Sequence, residues 1–294
     1  MRHYRFSFIL VLMIIPGLLM ITQSSLATTP TPTPEPEISA TSEGVAIEVM
    51  IPEVIERRPH DTDSYTQGLL LFEGELYESA GQYGESDVRR VDAETGEVLQ
   101  KVELDAAYFA EGLALVDERL IQITWKEERA FVYDRETFEV IDEYAYEGEG
   151  WGLCYDGTAL WMSDGSATLV TRDPESFEIV GSRAVTLQGM ALDQFVTATG
   201  RSMSALNELE CVGDTIYANV YLTDYILRID SGSGVVTGVI NASDLLETDE
   251  QAALGSGEVL NGIAYDAEAE TFLITGKRWP ALFEVRWQVV NVVP

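Results

Sequence analysis

The sequence predicts an all-β protein with the architecture of a five-bladed β-propeller. From residue 68 onward, short apolar runs alternate with turn residues, and no sustained helical periodicity appears before Asp244. A strand–turn–strand pattern also recurs five times, and each copy is typical of a β-hairpin. With 294 residues, of which 46% are hydrophobic, the chain can bury a large core.

The hairpins are spaced as propeller blades are. Successive starts are 44, 40, 56 and 54 residues apart, at Gly68, Gly112, Gly152, Glu208 and Gly262. A second turn follows most copies and is marked by an aspartate, at Asp92, Asp134, Asp173 and Asp230. Two hairpins give four strands per unit of roughly 40–50 residues, which is typical of a propeller blade. We therefore assign the four aspartates to turn structure.

Two insertions and one closing strand complete the predicted propeller. The two longer intervals leave room for insertions at 189–204 and 244–257, and the second is expected to include a short helix. The β-rich run at 45–55 is expected to supply the outer strand that closes the last blade, beside a strand at 283–287.

The amino terminus predicts export. Two arginines precede an apolar run over 8–21, and a stretch of small residues ends at Ala27. This order is typical of a signal peptide over 1–27, so the protein is expected to be secreted, periplasmic or displayed at the cell surface. The segment would anchor the protein in a membrane only if it stayed uncleaved. The Pro/Thr-rich stretch at 28–44 predicts a linker, and the propeller domain is then 45–294.

Composition argues against several kinds of site. The formal net charge of −32 disfavours nucleic-acid binding, because a phosphate backbone is neutralised by Lys and Arg. The chain has two histidines, His3 and His60, too few for a His-rich zinc site. The two cysteines, Cys154 and Cys211, are either small buried side chains or one bridge, and we favour free thiols.

Aromatic and polar residues cluster where the hairpins start and end. Loops held by a rigid scaffold commonly carry binding groups. The clusters are Tyr65-Thr-Gln67, Phe109-Ala-Glu111, Trp125-Lys126, Glu149-Gly-Trp151, Asn207-Glu208, Asn219-Val-Tyr221, Asn261-Gly262 and Lys277-Arg-Trp279. Aromatic faces with few polar groups predict one binding pocket, and a carbohydrate site would have a similar composition.

These motifs resemble the plant and bacterial type of glutaminyl-peptide cyclotransferase, a family of five-bladed propellers typified by the papaya-latex enzyme. The matching segments run in the family's order from Pro59 to Pro280 and include PHDTDSYTQGLL, YFAEGLAL, YEGEGWGLCYDG, LNELECV, VLNGIAYD and TGKRWP. Three positions depart from the family pattern, with Tyr65 in place of Phe, Ala110 in place of Gly and Tyr221 in place of Trp. Each keeps a similar size or an aromatic face, so the departures bear on substrate preference more than on activity.

The resemblance implies an acyltransferase that converts N-terminal glutaminyl residues of peptides and proteins to pyroglutamate and releases ammonia. The α-amine attacks its own side-chain carboxamide, so no covalent enzyme nucleophile is required. Glu111 would carry the proton between the two nitrogens, and Lys277 would stabilise the oxygen anion of the tetrahedral intermediate. The residues implied to bind the substrate are Tyr65, Gln67, Phe109, Trp125, Trp151, Asn207 and Tyr221.

Several alternatives stay open at this point. Glu149 and Glu208 would either bind the substrate ammonium or support the loops. No cofactor is required, with room for a structural calcium ion, and we expect a monomer whose partners are peptides with N-terminal Gln. One alternative function is a secreted, lactonase-like hydrolase that holds calcium through Glu and Asn, and chelators would inhibit it. The other is a non-catalytic propeller that binds peptides or glycans and releases no ammonia.

Overall fold

The computed structural model describes residues 45–294, so the predicted signal segment and linker lie outside the described residues. The strands in this range are β1 (Ile47–Pro59), β2 (Thr66–Phe72), β3 (Glu75–Ala80), β4 (Asp87–Asp92), β5 (Val98–Glu103), β6 (Ala110–Val116), β7 (Arg119–Thr124), β8 (Arg129–Asp134), β9 (Val140–Ala145), β10 (Leu153–Tyr155), β11 (Leu160–Met162), β12 (Thr168–Arg172), β13 (Ile179–Ala184), β14 (Thr186–Leu187), β15 (Met190–Ala191), β16 (Leu206–Val212), β17 (Thr215–Val220), β18 (Tyr225–Asp230), β19 (Val236–Asn241), β20 (Leu260–Asp266), β21 (Thr271–Gly276) and β22 (Ala281–Val293).

Helical structure in residues 45–294 is limited to the two predicted insertions. It consists of a 3₁₀ turn, Leu192–Gln194, and one α-helix, α1 (Thr248–Ala253). The short helix expected in the second insertion is therefore confirmed. Across the described part of the chain, no helix is long and apolar enough to span a membrane.

The strands form sheets of four. Within residues 45–294, the groups β2–β5, β6–β9 and β10–β13 each form a four-stranded antiparallel sheet in chain order. An eight-stranded sheet has the order β16-β17-β18-β19-β1-β22-β21-β20, and its two four-stranded halves join where β19 runs parallel to β1. A two-stranded hairpin, β14–β15, lies between the third sheet and β16 in the chain. The fold is all-β, and these sheets are consistent with a propeller.

The amino-terminal strand closes the last four-stranded unit, as predicted. Strand β1 runs antiparallel to β22 from Ile47, opposite Val293, to Pro59, opposite Ala281. Each of the two strands has 13 residues and is longer than the predicted run. The first and last described strands of the chain are thus held together by one long ladder.

The repeated aspartates shape the turns between the third and fourth strands of the units. Asp92 Oδ1 accepts hydrogen bonds from the backbone N–H groups of Glu94 and Thr95, at 3.0 and 2.8 Å. The equivalent turns are closed in a similar way by Asp134, Asp173 and Asp230. Their assignment to structure is confirmed, because a short acceptor side chain satisfies the turn's own backbone donors.

The first strands of the units, β2, β6, β10, β16 and β20, contact one another in a closed ring. The recurring hairpin glycines lie in this ring, where a Cβ added to Gly68 would come within 2.6 Å of the backbone nitrogen of Leu113 in β6. A Cβ added to Gly112 or Gly152 would come still closer to the backbone of the next strand. The glycines are therefore required for the close approach of neighbouring strands.

Glu208 stands at the fourth ring position, where the other units have glycine. Its buried carboxylate accepts hydrogen bonds from the backbone N–H groups of Leu69 in β2, at 3.3 Å, and Ile263 in β20, at 3.0 Å. Burial raises the pKa of Glu208 well above its ordinary value of 4.5, and Glu210 adds to that effect. These contacts link three strands of the ring, so Glu208 supports the scaffold.

Apolar side chains fill the spaces between neighbouring sheets. Leu70 and Tyr77 of the first sheet, for example, form one cluster with Leu113, Leu120 and Tyr133 of the second. Each large side chain that is fully buried in this way contributes roughly 1.5–3 kcal/mol of transfer free energy. This packing holds the inner ring, and with it the ends of the inner strands, in a fixed geometry.

The preference for free thiols was wrong. Cys154 in β10 and Cys211 in β16 form a disulfide, with Cα atoms 5.5 Å apart. The two residues are 57 positions apart in the chain, but β10 and β16 are neighbours in the ring. Their proximity depends on the register of two sheets, which the spacing of the cysteines in the sequence does not reveal.

Candidate active site

All nine residues predicted to form the site line a single cavity. Its volume is about 180 Å³. The lining side chains are Tyr65, Gln67, Gln82, Phe109, Glu111, Trp125, Trp151, Asn207, Tyr221 and Lys277. The structure therefore brings the predicted set together and adds one residue, Gln82.

The antiparallel hairpins explain why these residues meet. Gln67, Glu111 and Asn207 lie at the starts of inner strands β2, β6 and β16. Trp125 and Lys277 directly follow β7 and β21, the second strands of their hairpins. In an antiparallel hairpin, the start of the first strand and the end of the second lie at the same edge, so both groups gather at one end of the ring.

The Gln67 carboxamide joins the polar groups at the floor of the cavity. Its Nε2 donates a hydrogen bond to Glu111 Oε1 at 3.0 Å. Its Oε1 accepts hydrogen bonds from the Lys277 ammonium and from Asn261 Nδ2, the latter at 3.3 Å. Gln67, Glu111 and Lys277 are all buried, with 4%, 5% and 1% of their surface exposed. The carboxyl and the ammonium are thus held beside one amide, away from bulk water.

Burial shifts the pKa values of both ionisable groups, upward for Glu111 and downward for Lys277. It raises the pKa of Glu111 well above its ordinary value of 4.5, and the charge of Lys277 offsets only part of this rise. Burial lowers the pKa of Lys277 to about 8, against the charges of Glu111 and Glu208. Perturbed pKa values in a cleft are typical of groups that exchange protons or stabilise charge during a reaction.

Two buried acceptor atoms of the cavity have no hydrogen-bond partner within residues 45–294. They are Glu111 Oε2 and Asn207 Oδ1. An unsatisfied buried acceptor costs about 1–3 kcal/mol, so such atoms are uncommon in a folded protein. The cavity is therefore suited to a ligand that brings at least two donor groups.

Aromatic rings form the walls of the cavity. Phe109 packs against Tyr65 and Trp125, with ring centroids 6.3 and 5.6 Å apart. Trp151 meets Tyr221 edge to face at 5.4 Å. The Lys277 ammonium lies 4.7 Å from the Tyr65 ring centroid and 5.7 Å from that of Tyr221, so the same rings also stabilise its charge.

Glu149 supports two of these walls. Its Oε2 accepts hydrogen bonds from the indole N–H groups of Trp125, at 2.8 Å, and Trp151, at 3.1 Å. Lys126 pairs with the other carboxylate oxygen at 3.6 Å and lies 3.7 Å from the Trp125 ring centroid. Of the two roles considered for Glu149 and Glu208, these contacts favour support for Glu149, and the hydrogen bonds from β2 and β20 favour it for Glu208.

Two residues of the site had no individual role in the prediction: Asn261, which stood in one of the predicted clusters, and Gln82, which stood in none. Asn261 donates to Gln67 from the start of β20, and its place beside Gly262 matches that of Gln67 beside Gly68. That positional match was a usable signal. Gln82 follows the end of β3 by two residues, as Lys126 follows β7, and nothing in the residue type marks it.

Three comparisons with known proteins agree on the family. The family model described as glutamine cyclotransferase matches residues 22–287. The chain is 38% identical over 240 residues to the glutaminyl-peptide cyclotransferase of Arabidopsis thaliana, covering 80% of this chain and 70% of that protein. The crystal structure of Myxococcus xanthus glutaminyl cyclase matches with a TM-score of 0.73 and 35% identity, covering 83% of this chain and 100% of that chain. The chain therefore belongs to the glutamine cyclotransferase family.

Proposed function

We propose that the chain is a glutaminyl-peptide cyclotransferase, which converts the N-terminal glutaminyl residue of a peptide or protein to pyroglutamate and releases ammonia. The observation that carries the proposal is one buried cavity in which Glu111, with a raised pKa, and Lys277 share the amide of Gln67. The names of the Arabidopsis and Myxococcus proteins support the same reaction.

Glu111 is the proton carrier in this proposal. The substrate's α-nitrogen bonds to its own side-chain carbonyl carbon, and the bond from that carbon to the amide nitrogen then breaks. Oε2 of Glu111, which has no partner within the described residues, takes a proton from the attacking nitrogen and gives it to the departing one. A carboxyl group whose pKa is raised by burial can both accept and return that proton.

Lys277 stabilises the charge that develops on the carboxamide oxygen. With its pKa lowered to about 8, the side chain is still mostly protonated at neutral pH. The Gln67 carboxamide accepts a hydrogen bond from the Lys277 ammonium and donates one to Glu111. The ammonium is therefore positioned near Glu111 before the substrate arrives. Removing one preorganised donor of this type commonly costs about 10²–10³-fold in turnover.

The remaining groups bind and enclose the substrate. Asn207 Oδ1, buried without a partner within residues 45–294, would accept a hydrogen bond from the substrate amine or carboxamide. The aromatic walls provide stacking faces for the glutaminyl side chain and displace water from the reacting atoms. Exclusion of water strengthens each electrostatic contact in the cavity.

Five blades and export belong to the same proposal. Each half of the eight-stranded sheet is counted as one blade, and the closed ring of five inner strands supports that count.

Cleavage after Ala27 stays a prediction, which amino-terminal sequencing of exported protein would test.

The metal-dependent hydrolase is less well supported. Residues 45–294 contain no group of three or more His, Cys, Asp or Glu side chains placed to hold a metal ion. In the described part of the chain, the calcium of that alternative, like a structural calcium ion, would thus need Asn or backbone oxygens or water beside at most two carboxylates. Cyclisation that persists after treatment with a chelator would favour the proposed reaction.

Mass spectrometry of a Gln-initiated peptide tests the proposal. The purified protein is expected to remove one ammonia per peptide. Glu111→Gln keeps the size of the side chain but removes its exchangeable proton, and turnover should fall roughly 10²–10⁴-fold. Glu97→Gln, at an exposed carboxylate in the turn between β4 and β5, is the matched control and should keep normal turnover. A wild-type protein that leaves several such peptides unchanged would overturn the proposal.

A further inference from the structure

Gln82 is a cavity residue that the proposed mechanism does not use. It lies in the loop between β3 and β4 and has a φ of 121°, a backbone conformation that non-glycine residues rarely adopt. Its carbonyl accepts hydrogen bonds from the Glu85 N–H at 3.0 Å and from the Ser86 hydroxyl at 2.8 Å. Strained residues that persist in a folded protein cluster at functional sites, so we expect Gln82 to have a functional role.

The neighbours of Gln82 hold the loop against the cavity wall. On one side, the Gly81 N–H donates a hydrogen bond to the Tyr65 carbonyl at 2.9 Å. On the other side, the Tyr83 ring packs edge to face on Phe109, with centroids 5.3 Å apart. The strained residue is therefore fixed between two anchors that both touch residues of the cavity.

The cavity has a buried floor and a more exposed mouth. Glu111, Asn207 and Lys277 at the floor are at least nine-tenths buried, whereas Gln82 is partly exposed. At the mouth, the indole N–H groups of Trp125 and Trp151 already donate to the protein. Within residues 45–294, the hydrogen bonds of Gln82 involve its backbone carbonyl, so its carboxamide is available to a ligand.

We propose that Gln82 binds the peptide group that follows the N-terminal glutaminyl residue, with its Oε1 accepting a hydrogen bond from the N–H of the second residue. This inference rests on the proposed function. If the reacting glutaminyl side chain occupies the floor beside Glu111 and Lys277, the rest of the peptide leaves through the mouth. A carboxamide offers both an acceptor and donors, which match the N–H and carbonyl of a peptide group. Gln82 thus makes the site selective for substrates with an N–H at the second position.

Two substrates that differ by one N–H test the proposal. Glutamine tert-butyl amide carries that N–H, and glutamine tert-butyl ester has an oxygen in its place. For Gln82→Ala, the amide-to-ester ratio of kcat/KM is expected to fall about 3–10-fold, as for the loss of one hydrogen bond. Both substrates are measured on the same variant. A change in loop shape that affects both substrates equally therefore leaves the amide-to-ester ratio unchanged.

Gln82→Gly separates the side chain from the backbone strain. Glycine adopts positive φ freely, so this variant should melt at the wild-type temperature or roughly 2–4 °C above it. Its amide-to-ester ratio should nevertheless fall as far as that of Gln82→Ala.

An unchanged ratio in both variants, with wild-type protein that cyclises both substrates, would overturn this inference and leave the proposed function intact. Wild-type protein that cyclises neither substrate would overturn the proposed function and this inference together.

Discussion

Two buried glutamates lie in two polar regions of the protein and differ in how many donors they meet. Glu78 in β3 accepts hydrogen bonds from three side chains, His60 Nε2 at 3.1 Å, Ser64 Oγ at 2.6 Å and Thr66 Oγ1 at 2.6 Å. Glu111 in β6 accepts one, from Gln67, and its second oxygen has no partner within residues 45–294. Both carboxyl groups are almost fully excluded from solvent.

Their pKa values move in opposite directions as a result. Burial by itself would raise both values. At Glu78, the charge and hydrogen bond of His60, with the charge of Arg89, outweigh burial and lower the pKa to about 2. At Glu111, burial dominates and raises the pKa well above 4.5, although Lys277 opposes it. Positive charge and hydrogen-bond donors thus make Glu78 a fixed structural charge, whereas burial leaves Glu111 able to carry a proton.

The largest effect on stability is expected at Glu78. Glu78→Gln would leave the buried His60 without its charged partner, so the free energy of unfolding should fall by roughly 3–5 kcal/mol. The control is Glu75→Gln in the same strand, at a partly exposed carboxylate paired with Arg90, which should cost about 1 kcal/mol or less. Urea unfolding measures both, and equal losses would show that Glu78 is no more structural than a surface charge.

At Lys277, we expect the largest effect after those at the two glutamates. Lys277→Met removes the ammonium next to Glu111, and kcat/KM for Gln-initiated peptides should fall about 10²-fold because the oxygen anion loses its donor. Lys101→Met is the control, since Lys101 lies in β5 with 40% of its side chain exposed. Steady-state kinetics that show the same small loss in both variants would remove Lys277 from the mechanism.

The stability of the Glu78 region should depend on pH through His60. Burial alone would lower the pKa of His60, but the charge and hydrogen bond of Glu78 raise it above 6.5. The stabilisation from His60 is therefore complete below pH 6.5 and is lost as the pH rises through the raised value. Glu78 contributes above pH 4.5 and loses its contribution as the pH falls through about 2. The stability difference between wild type and Glu78→Gln should shrink toward alkaline pH, and a constant difference would contradict this coupling.

The smallest effect is expected at Glu149, which contacts the walls rather than the reacting atoms. Glu149→Ala removes the acceptor of two indole N–H groups, so KM should rise about 3–10-fold while kcat changes little. Glu147→Ala, at an exposed carboxylate two residues away, should change neither constant. A loss in kcat alone would mean that Glu149 takes part in the reaction.

The sequence allowed much of this site to be predicted because its residues occupy repeated positions. Hairpin starts and ends fall at one edge of every unit, so Gln67, Glu111, Asn207 and Lys277 were expected to meet. The turn aspartates and the closing strand followed from short-range patterns in the same way.

The features that could not be predicted depend on contacts between units or on backbone conformation. The disulfide of Cys154 and Cys211 requires the register of β10 against β16. Gln82 lines the cavity with a φ of 121°, a backbone conformation that its residue type disfavours. The contrast between Glu78 and Glu111 depends on the charges and donors that reach each carboxyl group, which is a property of the folded chain.

The most direct test of this contrast is the pKa of Glu111 in the free protein. It can be read from the carboxyl signal in infrared difference spectra that is lost in Glu111→Gln. We expect this signal to titrate well above pH 4.5, while the Glu78 carboxylate stays ionised over the same range. A Glu111 carboxyl group that titrates at or below pH 4.5 would contradict its role, since it would then be a fixed charge that cannot hold a proton between the two nitrogens.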